Sequence, residues 1–159
     1  MAKRIFTFGY EGLSLDTFIA RIKSAGVNTV IDVRANPLSR KPGFSKTAFS
    51  IALHSAGIAY IHIAQLGCPK PIRDRYKTDG NWANYTNSFL NYLRGQQDAV
   101  TELVSIAKSS PSCLVCFESD YTQCHRTYVA RAAAKVCKLR VIHLTNQTEI
   151  PDAAHSAAA

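Results

Sequence analysis

Short β-branched runs separated by amphipathic stretches predict a single-domain α/β fold, with a mainly parallel sheet of about five strands and helices on both faces, Rossmann-like in its three layers. Three observations carry this reading. Val27 to Val33 is nearly all apolar and β-branched, as a strand covered on both faces is. Cys113 to Phe117 is a second apolar run. Around these runs, apolar residues return at the i, i+3, i+4, i+7 spacing of one buried helix face, and strands joined by such helices pair in parallel.

Taken in order, Ile5 to Phe8 is a short strand ended by Gly9. The helix after it shows Leu15, Phe18, Ile19 and Ile22 on one face, with Ser14 as its N-cap and Gly26 as its stop. The Val27 strand follows. Phe49, Ala52, Leu53 and Ala56 mark a second helix closed by Gly57, and Ile58 to Ile63 a third strand. Ala64 to Trp82, with prolines at 69 and 71, reads as a long loop. Two helices follow, one around Tyr85, Phe89 and Tyr92, the other carrying Val100, Leu103, Val104 and Ala107. The Cys113 strand leads through a polar loop into a helix that starts at Cys124-His125-Arg126 and shows Val129, Ala132, Ala133 and Val136 on one face. Arg140 to Leu144 is the fifth strand. The domain is thus expected over residues 5–145, with 146–159 a peripheral tail.

The chain has 159 residues, enough to bury a core without disulfides or metals. Its five cysteines are an odd number and three lie in apolar runs, which fits reduced thiols and a cytoplasmic setting. Met-Ala-Lys-Arg-Ile-Phe-Thr-Phe lacks a signal peptide's apolar segment, and no run reaches membrane-spanning length, so no membrane partner is expected. The net charge is +8 and is localised. Between Arg34 and Lys77 eight basic residues stand against the single acid Asp74, a local excess of seven. Such a concentration argues for an anionic partner, phosphorylated or nucleic acid; the alternative is a solvated basic face.

In an open parallel sheet the ligand site lies beyond the carboxyl ends of the strands. Those ends carry Gly9, Tyr10, Glu11 and Gly12 after the first strand, Asp32 and Arg34 at the second, His62 at the third and Glu118 at the fourth. Asp32 interrupts an apolar strand and must be paired or functional; Arg34, two residues on, lies on the same face and is its nearest candidate partner.

Phe-Gly-Tyr-Glu-Gly at 8–12, Ile-Asp-Val-Arg at 31–34, Pro-Leu-Ser-Arg at 37–40, Gly-Phe-Ser-Lys at 43–46, Leu-Gly at 66–67, Cys-Phe-Glu at 116–118 and Cys-His-Arg at 124–126 follow one another in an order that resembles the family called domain of unknown function 488. The resemblance spans roughly residues 5–145. It implies a compact α/β domain and these residue positions, and no substrate. Cys68 departs from it, standing where a second glycine is common among relatives, and this argues against an essential Cys68.

The motifs also read physically. Ser45 is the expected N-cap of the second helix, whose free N–H groups, with Lys46 and Arg40, can hold a phosphate; an ordinary capped helix start has the same pattern. Tyr10 and Phe44 are expected as apolar or stacking surfaces. Two glycines around Tyr10-Glu11 let backbone approach a ligand, but the three-glycine dinucleotide fingerprint is absent. Cys124, at a helix start and beside Arg126, is expected to be acidified, while a phosphatase-type arginine is missing, since Ala130 stands six residues after it. Asp-Val-Arg at 32–34 is similar to rhodanese-like domains. Cys113 and Cys116 point to opposite faces of a strand, which argues against structural zinc; a hard divalent ion between Asp32 and Glu118 remains open. No metal ligand and no cofactor are assigned, and the oligomeric state is open.

The preferred expectation is an enzyme acting on a phosphorylated or nucleic-acid ligand, with Asp32, Glu118, Cys124 and His125 as candidate catalytic residues. Tyr10, Glu11, Arg34, Arg40, Phe44, Ser45, Lys46 and Arg126 are the candidate ligand-binding residues. Asp32 and Glu118 would be the acid/base groups, and the arginines and Lys46 the anion clamps. The alternatives are a non-catalytic nucleic-acid or nucleotide binding module and a thiol-dependent, rhodanese-like enzyme using Cys124.

Overall fold

A computed structural model describes residues 3–153. The strands are β1 (Arg4–Gly9), β2 (Thr29–Asp32), β3 (Ala59–His62), β4 (Ser112–Cys116), β5 (Arg140–Leu144) and β6 (Glu149–Pro151). The helices are α1 (Leu15–Ser24), α2 (Lys46–Ser55), α3 (Lys70–Asp79), α4 (Trp82–Arg94), α5 (Gln97–Ser109) and α6 (His125–Cys137). The sheet order is β3-β2-β4-β1-β5-β6. All pairs are parallel except β5 with β6.

Strand alternation divides the core into two layers. Phe6, Phe8, Val30, Cys113, Val115 and Ile142 pack on Phe18, Ile22, Phe49 and Leu53 of α1 and α2. Ile5, Ile31, Leu114 and Val141 pack on Phe89, Val100, Leu103, Val129 and Ala133 of α4, α5 and α6. Each large apolar side chain buried in this way stabilises the fold by about 1.5–3 kcal/mol relative to exposure. Ser14 caps α1 as expected, accepting a hydrogen bond from the Thr17 N–H at 3.2 Å.

Three elements depart from the sequence reading. Residues 64–82 are not a loop: a 3-10 turn at Ala64–Leu66 leads into α3. Its prolines stand before and in the first turn, where no N–H is needed. No residue of α3 is fully buried, and its contact with the core is made by Ile72 and Tyr76, one turn apart and only partly buried, too short a stripe to read. A sixth strand, β6, pairs with β5 inside the segment expected to be a peripheral tail, and Asp152 beyond it is buried; residues 154–159 of that tail lie outside the described residues. The buried face of α6 is also rotated from expectation. Val136 is 58% exposed, and the inward stripe runs through Arg126, Val129, Ala130 and Ala133. An arginine therefore occupies a core position.

Among the described residues no helix is long and apolar enough to cross a membrane.

Candidate functional site: a buried thiol pair and its arginine

The carboxyl end of β4 and the amino end of α6 meet at two sulfurs. Cys116 shares strand parity with Leu114 and so faces α6, whereas Cys113 faces α1 and α2. After the 3-10 turn at Tyr121–Gln123, Cys124 takes the N-cap position of α6 in extended backbone. Its Sγ lies 2.7 Å from Cys116 Sγ. Arg126 Nη1 donates to Cys116 Sγ at 3.1 Å and to the Glu118 carbonyl, and Nη2 reaches the Ser119 carbonyl at 3.5 Å.

Arg126 is 0% exposed, its Nε has no hydrogen-bond partner, and among the described residues no carboxylate forms a salt bridge with it. A buried cation requires a counter-charge. The acidic groups against it are the two thiols. Burial opposes ionisation of Cys124, but the Cys116 hydrogen bond and the Arg126 charge outweigh it and bring this thiol down to about 7. Cys116 is pushed well above the ordinary thiol value, by burial first and then by Cys124. Above about pH 7 the pair thus holds one negative charge, centred on Cys124, with Cys116 donating to it.

His125 completes the group. Its Nε2 is 2.7 Å from the Val33 carbonyl; a carbonyl only accepts, so Nε2 carries the proton and Nδ1 is left as an acceptor. Nδ1 lies 3.8 Å from Cys124 Sγ. Burial lowers the His125 pKa, which favours the neutral ring.

On the opposite face of the sheet, Asp32 and Arg34 form a closed ion pair. Arg34 Nε and Nη2 reach the two carboxylate oxygens at 2.8 and 2.7 Å. Tyr60 donates its hydroxyl to Oδ2 at 2.5 Å, and the Arg34 N–H binds Oδ1 at 3.1 Å. The remaining guanidinium nitrogen, Nη1, binds the Tyr10 hydroxyl at 3.1 Å and the Phe44 carbonyl at 2.6 Å. Asp32 is 0% exposed. Both of its oxygens are saturated, so it has no lone pair to offer a substrate or metal, and four of the five guanidinium N–H groups of Arg34 are spent on Asp32, Tyr10 and Phe44. Desolvation opposes the Arg34 charge, yet the Asp32 bonds hold its pKa above the ordinary arginine value.

Between the two clusters lies a polar rim. Glu11 accepts from the Ser119 N–H at 3.1 Å and hydroxyl at 3.0 Å, and Glu118 accepts from the Asp120 N–H at 3.1 Å. The Ser119 N–H, then its hydroxyl, holds Glu11 below the usual carboxylate range. Partial burial, followed by its contact with Glu11, holds Glu118 above it. Of this carboxyl pair, Glu118 is therefore the one that takes up a proton first as pH falls.

Residues 14–133 match the model of the family described as domain of unknown function DUF488, which is more than half of the chain. The chain belongs to this family. No curated protein and no solved structure matches it. The Gly-Tyr-Glu motif lies just ahead of the matched residues, yet in this DUF488 domain it packs into the same end of the sheet as the matched motifs.

Two glycines of those motifs have a steric cause. A Cβ on Gly9 would stand 1.8 Å from the Glu118 carbonyl oxygen, and one on Gly67 2.2 Å from the Ala35 nitrogen. Gly9 thus allows β1 to approach the carbonyl that Arg126 binds.

The remaining expected site residues divide. Tyr10 and Phe44 are buried and stack on each other with ring centroids 4.2 Å apart, so their faces are spent in the core rather than open to a base. Ser45 occupies the N-cap position of α2 without capping it; its hydroxyl bridges the Ser39 N–H and carbonyl at 3.0 and 3.1 Å. The Lys46 N–H is taken by the Pro37 carbonyl at 2.9 Å. The side chains of Arg40 and Lys46 are exposed.

Sequence reasoning did not single out Tyr60 or Ser119, and weighed Cys116 only as a motif residue and a zinc ligand. Cys116 reads as a core residue in Cys-Leu-Val-Cys. Tyr60 gives a weak signal, since its strand position faces the same layer as Asp32. Among the described residues no group of three or more His, Cys, Asp or Glu is placed to hold a metal ion. A cavity of about 710 Å³ lies elsewhere, between α4 and α6 along Leu90, Leu93, Tyr128 and Lys135.

Proposed function

We propose that this protein is a thiol-dependent enzyme in which Cys124 is the nucleophile. One observation carries the reading: the fully buried Arg126 has, among the described residues, no carboxylate in a salt bridge with it and lies against the Cys116–Cys124 pair, so ionisation of that pair is what balances its charge. Cys124 is the thiol that ionises, Cys116 steadies the thiolate with a hydrogen bond, and neutral His125 turns the acceptor nitrogen Nδ1 toward the same sulfur. Arg126 sets the charge state. These are the parts of an activated nucleophile on the amino end of a helix.

The substrate class follows from charge. Arg73 acts electrostatically on His125 and Lys41 on Glu11, so basic residues flank both sides of this end of the sheet. An electrophile carried on an anionic ligand, phosphorylated or nucleic acid, fits that field. Asp32, the preferred base from sequence alone, has no part in this reading because its oxygens are occupied.

The test is site-selective labelling. A small thiol electrophile applied at mildly acidic pH, where ordinary thiols are protonated, is expected to modify Cys124 ahead of the other four cysteines. Cys137 is less buried than Cys124 and serves as the internal control. Labelling of Cys137 with Cys124 left intact would overturn the reading.

A further inference from the structure

We infer that Cys116 and Cys124 are a two-electron dithiol couple, which a peroxide oxidises to an intramolecular disulfide. The inference rests on the ionised Cys124 of the reading above, and adds a reaction and a second participating sulfur. Its ground is geometric. The two sulfurs are 2.7 Å apart, and a disulfide bond is about 2.05 Å long, so closure takes a movement of well under an ångström. Both sulfurs sit at element ends, one closing β4 and one opening α6, joined by the connection 117–123, whose only regular structure is a 3-10 turn. Neither is locked into the middle of a strand or helix.

The chemistry balances with the groups in place. The Cys124 thiolate attacks one peroxide oxygen; the S–O bond forms, the O–O bond breaks, and the departing oxygen leaves as hydroxide, which takes a proton to become water. Cys124 is then a neutral sulfenic acid. At that moment Arg126 loses the thiolate it was balancing, while its Nη1 still lies 3.1 Å from Cys116 Sγ. The guanidinium now favours ionisation of Cys116, whose proton passes to the His125 Nδ1 side of the pocket. The Cys116 thiolate attacks the Cys124 sulfur, the S–S bond forms, the S–O bond breaks, and the oxygen leaves as a second water after taking that proton. Two thiols have lost two electrons and two protons, and the peroxide has gained them.

One arginine therefore serves the two steps in succession. Cys124 is only 5% exposed, which admits an oxidant of two heavy atoms more readily than a bulky one. Oxidation also removes the counter-charge of Arg126. The oxidised protein is a state with no nucleophile and an unbalanced buried cation.

The experiment treats the reduced full-length chain with hydrogen peroxide, blocks residual thiols and maps the cysteines by mass spectrometry. The expected product has lost two hydrogens in a linked Cys116–Cys124 peptide and is restored by dithiothreitol. It forms equally in Cys68→Ala, and in Cys116→Ala it is replaced by a sulfenic acid on Cys124 that dimedone traps. Circular dichroism of each variant establishes that it is folded, and the wild-type mapping stands without them. A reduced pair after treatment, a disulfide to Cys68 or between chains, or over-oxidation of Cys124 with Cys116 untouched would each overturn the inference. The nucleophile reading fails separately, through labelling: a Cys124 that labels at mildly acidic pH but forms no disulfide leaves that reading standing and removes this one.

Discussion

Arg126 and Cys116 are held together at 3.1 Å, Nη1 to Sγ, with the arginine 0% exposed and, among the described residues, no carboxylate in a salt bridge with it. The contact joins the inward stripe of α6 to the end of β4. It also sets the charge state of Cys124, and the first expectation concerns that. Arg126→Gln keeps hydrogen-bond donors and removes the cation. An opposite charge within about 4–6 Å lowers an acid's pKa by roughly 1–3 units, so the Cys124 thiol in this variant is expected to titrate at least about one unit higher. Alkylation rate against pH, for wild type and variant side by side, measures this; superimposable profiles would mean the guanidinium does not act on the sulfur.

Stability should follow the same ionisation. Cys124 is lowered from an ordinary thiol value of 9.0 to about 7 in the folded chain. Its stabilisation is therefore fully present above pH 9 and is lost as pH falls through 7. Two units correspond to about 2–3 kcal/mol. Burial of neutral His125 acts in the same direction below its own ordinary value, so Cys124→Ser is the reference that isolates the thiol. The difference in Tm between wild type and Cys124→Ser is expected to widen from pH 7 to pH 9; a constant difference would contradict the pairing.

Asp32 belongs to stability rather than to chemistry. Asp32→Ala leaves Arg34 charged, buried and without its carboxylate, a change that costs about 3–5 kcal/mol. Tyr60→Phe removes one hydrogen bond to the same oxygen and should cost about 1 kcal/mol or somewhat more. Urea denaturation of both variants checks the order. A fully stable Asp32→Ala would show that the ion pair is dispensable.

Much of this was legible in the chain and some was not, for physical reasons. The strands and helices of the core announced themselves because β-branched runs and apolar stripes are what burial on a sheet selects. α3 was silent because it lies on the surface with Lys70, Arg73, Asp74, Arg75 and Lys77 around its circumference. Asp32, Arg34, Cys124, His125 and Arg126 stood out as chemistry at strand and helix ends. Their division between the two faces of the sheet was hidden, because it depends on strand parity together with the docking of α6. Cys116 looked like core until Cys124 was placed beside it.

The segment after β5 gave no periodic signal, yet Asp152 is anchored deeply. Its oxygens accept from Arg131 Nε and Nη2 at 2.9 Å each and from His143 Nε2 at 2.9 Å. Thr7 Oγ1 lies 2.7 Å from the other ring nitrogen. Asp152→Ala strands a buried histidine donor and an arginine, and is expected to cost about 3–5 kcal/mol. Chemical denaturation measures it, and a loss below about 1 kcal/mol would mean the last strand is only loosely attached.

Gly9 tests the packing that brings the Glu118 carbonyl to Arg126. The Cβ of Gly9→Ala would meet backbone rather than a flexible side chain, so about 1–3 kcal/mol should be lost as the β4 end is pushed away. An unchanged unfolding midpoint would mean the loop after β4 yields freely.

The central claim, a thiolate held on Cys124 by Arg126 and Cys116, is tested most directly by ultraviolet thiolate absorbance as a function of pH, which needs neither substrate nor reagent access. The wild-type chain minus Cys124→Ser should show one thiolate appearing with a midpoint near 7. A difference that appears only at the ordinary thiol range near 9, or no difference at all, would contradict it.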